Sequence, residues 1–254
     1  MLIIAHRGES YDAPENTLAS FQLAWKRRDR AIELDIHLTK DEQLAVCHDA
    51  NTLRTSGVSL DIRDCTMEEL NKLDVGAWKG ERWAGQRMPV LKEALQTTPK
   101  QGGCIIEVKV GTEIIPALRR DIQSVSIDPK QVVIISFHPD VVHASKKALP
   151  DIKTYLLSAF RYSEERGNWS PTVDELIAQA KEIRADGLNL AAQPPIDAAF
   201  ADRVKKEGLE LFVWTVDSID LAQKMADLGV DGMASNRAAW LGRNLKAHMN
   251  SSVS

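Results

Sequence analysis

Two histidines, three acids, an arginine and a lysine lie at the ends of short apolar runs along the chain. They are His6, Arg7, Glu33, Asp35, His48, Glu107 and Lys109. Histidine has a reference pKa of about 6.5, so a pair of histidines can divide acid and base roles at neutral pH. Carboxylates bind hard divalent cations, and arginine and lysine bind phosphate. This combination favours a metal site that handles phosphate.

The spacing of the acids places them on a common face. Glu33 and Asp35 are two residues apart, as are Glu107 and Lys109, and residues two apart in a strand share a face. Carboxylates about 4 Å apart repel by about 4 kcal/mol at an effective dielectric of about 20. A divalent cation relieves this repulsion, and oxygen ligands indicate Mg²⁺ or Ca²⁺, with Mn²⁺ as a third candidate, rather than Zn²⁺. Taken alone, Glu107 and Lys109 could equally form a structural ion pair.

The elements that must position these residues alternate between strands and helices. Short β-branched runs predict strands at 2–6, 32–38, 104–110, 132–137, 153–158, 187–191, 210–216 and 232–234. Helical periodicity predicts helices at 15–28, 91–97, 113–125, 140–148, 172–184, 197–206, 219–228 and 238–246. Eight such units predict a TIM-type (β/α)8 barrel, with an open doubly wound sheet as the alternative. Reactive residues of a barrel gather at the C-terminal strand ends, where the polar residues above are expected.

The chain is expected to form one catalytic domain over residues 1–250. A short extra strand at 44–48 follows the second strand, and residues 51–88 hold no clear strand–helix unit. We interpret 51–88 as a small insertion in the loop after the second strand. Residues 251–254 are expected to be a disordered tail.

The composition narrows the function classes. A net charge of −4 and a pI of about 5.9 show no basic excess, which indicates no nucleic-acid partner. Cys47, Cys65 and Cys104 are odd in number and form no CxxC pair, so reduced thiols and a cytoplasmic location are expected. No apolar run reaches the roughly 20 residues of a spanning helix, and the run 1–5 is too short for a signal peptide. The oligomeric state is left open.

Seven motifs, in order, resemble those of the glycerophosphodiester phosphodiesterase family, in its cytosolic bacterial form. They are His6-Arg7-Gly8, Pro14-Glu15-Asn16-Thr17, Glu33-x-Asp35, His48-Asp49, Glu107-x-Lys109, Trp214-Thr215-Val216-Asp217 and Asp231-Gly232. The resemblance covers residues 2–241 and includes the insertion. The family's last strand often ends in Thr-Asp or Ser-Asp. Here Ser235-Asn236 stands in its place, which we expect to affect packing or loop structure rather than chemistry.

The resemblance implies a role for each matched position. Glu33, Asp35 and Glu107 would bind one divalent cation, Arg7 and Lys109 would hold the phosphate, and His6 and His48 would act as general acid and base. Glu15 and Asn16 would support the metal ligands or the His6-Arg7 pair. Separately from the resemblance, Trp214 is expected to contact glycerol because it ends a barrel strand. The implied reaction is hydrolysis of a small glycerophosphodiester, such as glycerophosphocholine or glycerophosphoethanolamine, to sn-glycerol 3-phosphate and an alcohol.

Two routes and two rival functions stay open. The substrate's own 2-hydroxyl could attack phosphorus and form a cyclic phosphate, or a water molecule could attack directly. A related phosphodiesterase could act on lysophospholipids, as a lysophospholipase D does, and an exposed apolar rim would favour it. A non-catalytic barrel could bind a phosphorylated ligand, although a pure binder needs no acid–base pair.

Several other residues are not expected in the site. His37 is expected on the outer layer of the barrel, and Lys26-Arg27-Arg28 on a solvated helix face. His138, His143 and His248 are expected on the surface. Trp78 and Trp83 are expected to pin the insertion to the barrel, with a cation–π contact to a headgroup as the alternative.

Overall fold

The computed structural model describes residues 1–251, with side chains described through Ala247. In this range the strands are β1 (Leu2–Ala5), β2 (Ala31–Leu38), β3 (Leu44–Val46), β4 (Gly103–Val108), β5 (Val132–Ser136), β6 (Lys153–Ser158), β7 (Arg161–Ser163), β8 (Asn168–Ser170), β9 (Gly187–Ala191), β10 (Glu210–Trp214) and β11 (Gly232–Ser235). The helices are α1 (Leu18–Lys26), α2 (Leu53–Ser56), α3 (Met67–Leu70), α4 (Leu91–Gln96), α5 (Ile115–Gln123), α6 (Pro139–Ala148), α7 (Val173–Glu182), α8 (Ala198–Lys206), α9 (Ile219–Asp227) and α10 (Ala238–Ser251). Residues 252–254 of the predicted tail, and the side chain of His248, lie outside the described residues.

Eight parallel strands of the described chain close into a barrel. Their order is β1, β11, β10, β9, β6, β5, β4 and β2, and pairing of β1 with β2 at Ala5 and Ile32 completes the ring. β3 adds to β2 in the antiparallel direction. The register of β2 and β4 puts Asp35 beside Glu107. The predicted TIM-type (β/α)8 barrel is therefore confirmed, and the open doubly wound sheet is excluded.

Alternation along the strands separates the outer core from the barrel interior. In β2 and β4 the positions between the acids, such as Leu34 and Ile106, are fully buried in a cluster with the helix residues Phe21 and Leu118. Helix ends are held by local bonds: Thr17 accepts a hydrogen bond from the N–H of Ser20 at the start of α1, a capping arrangement that stabilises a first turn. The helices thus cover the barrel, and the inward positions are left for the site.

Aromatic and aliphatic side chains fill the barrel axis below its mouth. This interior cluster consists of Ile4, Ala31, Ile105, Ile135, Tyr155, Leu157, Phe212 and Ala234. The rings of Tyr155 and Phe212 meet edge to face, 5.0 Å between centroids. Glycine is required at Gly232, because a Cβ there would lie 2.7 Å from the Phe212 ring. The barrel interior is therefore closed beneath the polar residues.

Two segments extend the mouth of the barrel. Between β3 and α4 the chain forms the short helices α2 and α3 and several 3-10 turns around its own apolar cluster, which includes Ile62, Leu70 and Met88. After β6, the strands β7 and β8 form an antiparallel hairpin that the sequence analysis did not predict. Across the described residues, every helix is too short or too polar to traverse a bilayer.

Candidate active site

Three buried carboxylates form the centre of the barrel mouth. Glu33 and Asp35 project inward from β2, and Glu107 projects inward from β4. One oxygen from each lies within 4.8 Å of the others. Asp35 Oδ1 is buried and accepts no hydrogen bond from the described residues. A set of carboxylate oxygens that includes a buried acceptor without a hydrogen bond fits a hard divalent cation such as Mg²⁺, Ca²⁺ or Mn²⁺.

The pKa values of the three acids also favour a cation between them. Burial, followed by the charges of Asp35 and Glu107, raises the pKa of Glu33 well above its ordinary value. Burial and the Asp35 charge raise the pKa of Glu107 to about 7. Burial also opposes ionisation of Asp35, but Arg7 and Lys109 outweigh it and lower the pKa of that carboxyl. Full ionisation of all three acids therefore requires more positive charge than Arg7 and Lys109 supply.

Arg7 and Lys109 supply the cationic side of the cluster. The backbone N–H of Arg7 donates to Glu33 Oε2 at 2.9 Å, and its Nη1 donates to Glu15 Oε1 at 2.8 Å. Its Nε lies 3.4 Å from Asp35 Oδ2. Lys109 Nζ lies 2.7 Å from Glu107 Oε1 and 3.5 Å from Asp35 Oδ1. Both side chains line the cavity at the mouth, so an anion in that cavity would meet two cations.

The loop after β1 holds Arg7 and Asp35 in place. Arg7 and Asn16 have φ angles of 55° and 56°, which lie in the left-handed region that residues other than glycine rarely adopt. The N–H of Asn16 donates to the Arg7 carbonyl at 3.0 Å. The Asn16 amide donates to Asp35 Oδ2 at 2.7 Å and accepts from the Asp35 N–H at 3.2 Å. Asn16 therefore fixes the orientation of the Asp35 carboxylate, and Glu15 fixes Arg7.

His48 is oriented by a chain of ionic hydrogen bonds. Its Nδ1 lies 2.6 Å from Asp49 Oδ1, and Arg54 Nε donates to Asp49 Oδ2 at 2.6 Å. Arg54 also donates two bonds of 2.8 Å to Glu15. Burial opposes ionisation of Asp49, but the bonds from Arg54 and His48 lower its pKa to about 2. Arg54 belongs to α2 in the insertion, and no pattern in the sequence identified it.

His6 is oriented by a different kind of partner. The side chain is 14% exposed, and Nε2 lies 3.9 Å from Glu33 Oε2. Nδ1 lies 2.8 Å from Asn236 Oδ1. The Asn236 amide donates to Asp217 Oδ2 at 2.6 Å, so its oxygen must face His6 as an acceptor. His6 therefore donates through Nδ1, and burial followed by the Arg7 charge lowers the pKa of its ring.

One expectation about these strand ends is wrong, and another stays a prediction. Asn236, expected to affect packing or loop structure rather than chemistry, lies with its Oδ1 2.8 Å from His6 Nδ1, and its effect on the chemistry is untested. His37 was expected on the outer layer, but it is buried and its Nε2 lies 3.1 Å from the carbonyl oxygen of His48. His37 is two residues after Asp35, so alternation already places it on the inward face.

A cavity of about 110 Å³ brings together seven of the ten predicted site residues, all except Glu15, Asn16 and Asp35. His6, Arg7, Glu33, His48, Glu107, Lys109 and Trp214 line it. Apolar side chains of Ile135, Phe137 and Leu157 form another part of its wall. Trp214 donates to the Asn189 carbonyl at 3.3 Å, and its ring meets Phe137 at 5.8 Å. Asp35 lies behind this surface, bound by Asn16 and close to Arg7.

The remaining candidates lie outside this cavity. The Trp78 indole donates to the Val75 carbonyl within the insertion, and the residue is 42% exposed. Trp83 stacks against Arg82. Cys47 is buried and free, and burial raises the pKa of its thiol to about 12. This thiol is therefore protonated and unsuited to nucleophilic attack.

Comparisons with known proteins agree with this geometry. Residues 6–239 match the model of the glycerophosphoryl diester phosphodiesterase family. The chain is 35% identical over 243 residues to YhdW of Bacillus subtilis, covering 93% of this chain and 94% of that one. It is 33% identical over 240 residues to the glycerophosphodiester phosphodiesterase of Caldanaerobacter subterraneus subsp. tengcongensis, covering 92% and 93%.

Solved structures share the fold. The Oleispira antarctica phosphodiesterase OLEI02445, in complex with the product sn-glycerol-3-phosphate, superposes with a TM-score of 0.84 at 24% identity, covering 97% of each chain. The family match spans all seven motifs, and the structure gathers the acids, cations and histidines of those motifs at one barrel mouth. The chain therefore belongs to the glycerophosphoryl diester phosphodiesterase family.

Proposed function

We propose that this chain hydrolyses small glycerophosphodiesters to sn-glycerol 3-phosphate and an alcohol, and that the reaction depends on one divalent cation. One observation carries the proposal: two histidines with separately fixed Nδ1 atoms line the same cavity as Arg7, Lys109 and two of the three clustered carboxylates. A site that only bound phosphate would need the cations but not the pair of oriented imidazoles.

Glu33, Asp35 and Glu107 are proposed to hold the cation. Asp35 Oδ1, which accepts no hydrogen bond from the described residues and lies 3.5 Å from Lys109 Nζ, supports this assignment. The raised pKa values of Glu33 and Glu107 support it as well. A bound Mg²⁺, Ca²⁺ or Mn²⁺ would stabilise negative charge on the non-bridging phosphate oxygens. Arg7 is proposed to bind those oxygens with its planar guanidinium and Lys109 with a single point charge. Trp214 is proposed to pack against the glycerol carbons.

The partners of the two histidines suggest different roles for them. His6 donates through Nδ1 to a neutral amide, so the neutral ring presents a lone pair on Nε2, and we assign His6 as the general base. His48 is held through Nδ1 by the carboxylate of Asp49, at 2.6 Å, and we assign His48 as the general acid. Asn16 and Glu15 are proposed to act through Asp35 and Arg7.

The proposed reaction has two steps. His6 removes the proton from the 2-hydroxyl of the glycerol moiety, whose oxygen bonds to phosphorus while the bond to the alcohol oxygen breaks. His48 donates a proton to the departing alcohol. In the second step His48 takes a proton from water, the water oxygen bonds to phosphorus, and His6 returns its proton to the 2-oxygen as the ring opens. Direct attack by water is the competing route.

Release of glycerol 3-phosphate from glycerophosphocholine tests the proposal. Activity is expected with Mg²⁺, Ca²⁺ or Mn²⁺ and is expected to be lost with a chelator. His6→Ala and His48→Ala are each expected to abolish turnover with little change in melting temperature. Absence of turnover by the wild-type chain with all three metals would favour the non-catalytic binder. Full activity on a 2-deoxy substrate analogue would reject the cyclic-phosphate route.

A second candidate function is hydrolysis of lysophospholipids. The observation that favours it is the apolar part of the cavity wall, where Phe137 is also 43% exposed at the surface. Comparison of kcat/KM for lysophosphatidylcholine and glycerophosphocholine discriminates the two substrates.

For either substrate, the free buried thiols of Cys47, Cys65 and Cys104 support the expected cytoplasmic location. The net charge of −4 supports the expectation of no nucleic-acid partner.

A further inference from the structure

One polar side chain in the wall of the active-site cavity has no role in the site described above. Asn189 lies in β9, is only 5% exposed, and lines the cavity together with Trp214. Its Oδ1 is buried and accepts no hydrogen bond from the described residues. A buried amide oxygen without a partner destabilises the folded state, so such an atom indicates a ligand or an ordered water molecule.

The strand directs this amide into the barrel. Leu188 and Leu190, on either side of it, pack with side chains of the surrounding helices, so Asn189 points to the opposite face of the strand. In register it lies beside Leu157 of β6 and Phe212 of β10. Both of these side chains are apolar and belong to the interior cluster. A partner for the amide therefore has to enter through the cavity.

Asn189 faces the carboxylates from across the barrel mouth. In the ring of eight strands, β1, β11 and β10 separate β9 from β2 on one side, and β4, β5 and β6 separate them on the other. Glu33 belongs to β2, and the proposed phosphate-binding residues, Arg7 and Lys109, follow the two strands next to β2. A phosphate held by these cations lies on the β2 side of the mouth, so Asn189 meets a different part of the substrate.

The two histidines indicate which part that is. His48, the proposed acid, follows β3 outside the ring of barrel strands, and its side chain is 32% exposed, so the departing alcohol leaves on the solvent side. The side chain of His6, the proposed base, is 14% exposed, so the glycerol moiety lies deeper. Trp214, proposed to pack against the glycerol carbons, donates to the Asn189 carbonyl at 3.3 Å. The Asn189 amide is therefore next to the expected position of glycerol.

We propose that the Asn189 amide binds the 1-hydroxyl of the glycerol moiety, which is the hydroxyl that the proposed reaction does not consume. The identity of the substrate in this inference rests on the proposed function. A hydroxyl can donate to Oδ1 or accept from Nδ2, so it suits an amide that lacks a partner. A site that binds a hydroxyl in this way rejects an analogue without it, because the buried polar group is then left unpaired. Deacylated glycerophosphodiesters carry a free 1-hydroxyl, whereas 1-acyl lysophospholipids have it esterified, so Asn189 selects the deacylated class.

Calorimetric binding of two phosphate monoesters, in buffer that contains Mg²⁺, tests the assignment. Glycerol 3-phosphate carries the 1-hydroxyl, and 2-hydroxypropyl phosphate of the same configuration lacks it. The wild-type chain is expected to bind the first about tenfold more tightly. Asn189→Leu replaces the amide with an apolar side chain of similar size and is expected to bind both ligands alike. Leu157→Met changes the neighbouring wall position without removing a polar group and is expected to keep the preference.

Several results would overturn the proposal. Equal binding of the two ligands by the wild-type chain, or binding of neither, would mean that water alone satisfies the amide. A leucine variant that keeps the wild-type preference, or that loses affinity for both ligands by the same factor, would reduce Asn189 to a structural residue. The melting temperature of this variant is expected to stay the same or rise, because it removes a buried polar group without a partner. If Asn189→Leu does not fold, Asn189→Ala removes the same amide and provides the comparison.

Turnover separates this proposal from the proposed function. The kcat/KM of Asn189→Leu is expected to fall about tenfold for glycerophosphocholine and less than twofold for its 1-deoxy analogue, 2-hydroxypropyl phosphocholine. An equal fall for both substrates would contradict selection through the 1-hydroxyl. Wild-type protein that prefers glycerol 3-phosphate in calorimetry but hydrolyses neither diester would refute the proposed function and still support the assignment of Asn189.

Discussion

The bond between His6 and Asn236 can be removed without touching the carboxylates or the phosphate-binding cations. Asn236→Ala deletes the acceptor 2.8 Å from His6 Nδ1 and leaves that donor unpaired or frees the ring to adopt the other tautomer. An unpaired buried donor costs about 1–3 kcal/mol. If that energy maintains the tautomer with the proton on Nδ1 and a lone pair on Nε2, the loss of the bond lowers kcat by about five- to 150-fold.

Steady-state hydrolysis of glycerophosphocholine measures this effect, and two variants control it. Ser10→Ala removes another bond to the same Asn236 oxygen, at 3.1 Å, without touching His6, and is expected to keep wild-type kcat. Asn236→Asp preserves an acceptor and is expected to retain more activity than the alanine variant. The ¹⁵N chemical shifts of the His6 ring report the tautomer directly. An alanine variant with kcat within twofold of wild type and an unchanged tautomer would refute the reasoning.

Three further predictions concern the metal, the insertion and the pH dependence of stability. Millimolar Mg²⁺, Ca²⁺ or Mn²⁺ is expected to raise the melting temperature of the wild-type chain, because a cation at 100 times its Kd adds about 2.7 kcal/mol to the free energy of unfolding. Asp35→Asn is expected to lose this rise in melting temperature. An undiminished rise in the variant would remove Asp35 from the set of metal ligands. Arg54→Ala removes a hydrogen bond that holds Asp49, so the carboxylate that orients His48 is less well fixed. The kcat is expected to fall about tenfold with KM little changed. A rise in KM with unchanged kcat would contradict the positioning role of Arg54. Burial, followed by the charge of Glu9, raises the pKa of Asp29 from its ordinary value of 3.8 to about 8. The folded state therefore holds a proton that the unfolded state loses, so stability falls as pH rises from about 4 toward 8. Asp29→Asn should match wild type in urea denaturation near pH 4 and exceed it at pH 8; equal stability at both would sink this assignment.

The barrel and most of its site follow from local patterns in the sequence. Alternation in β2 and β4 was sufficient to place Glu33, Asp35 and Glu107 on one inward face, because the side-chain period of a strand is two. The same rule predicts that His37 points inward, because Glu33, Asp35 and His37 are every second residue of one strand. The expectation that His37 lies on the outer layer was therefore an error in applying the rule.

Other parts of the site depend on contacts that no local pattern encodes. His6 and Asn236 are 230 residues apart and meet because the first and last strands of the barrel pair with each other. Arg54 reaches Glu15 from an insertion made of short turns, where periodicity carries no signal. The β7–β8 hairpin consists of three-residue strands with polar and exposed positions, too short to show alternation.

The packed aromatic cluster beneath the carboxylates blocks the lower end of the barrel. Among the residues that the structure describes, Tyr155 and Phe212 fill the axis of the barrel, so substrate and products are expected to pass through the barrel mouth. Because Arg7 and Lys109 are the proposed phosphate-binding residues, a phosphorylated product that has not yet left would compete with incoming substrate for them. Competitive inhibition by the phosphorylated product is therefore expected.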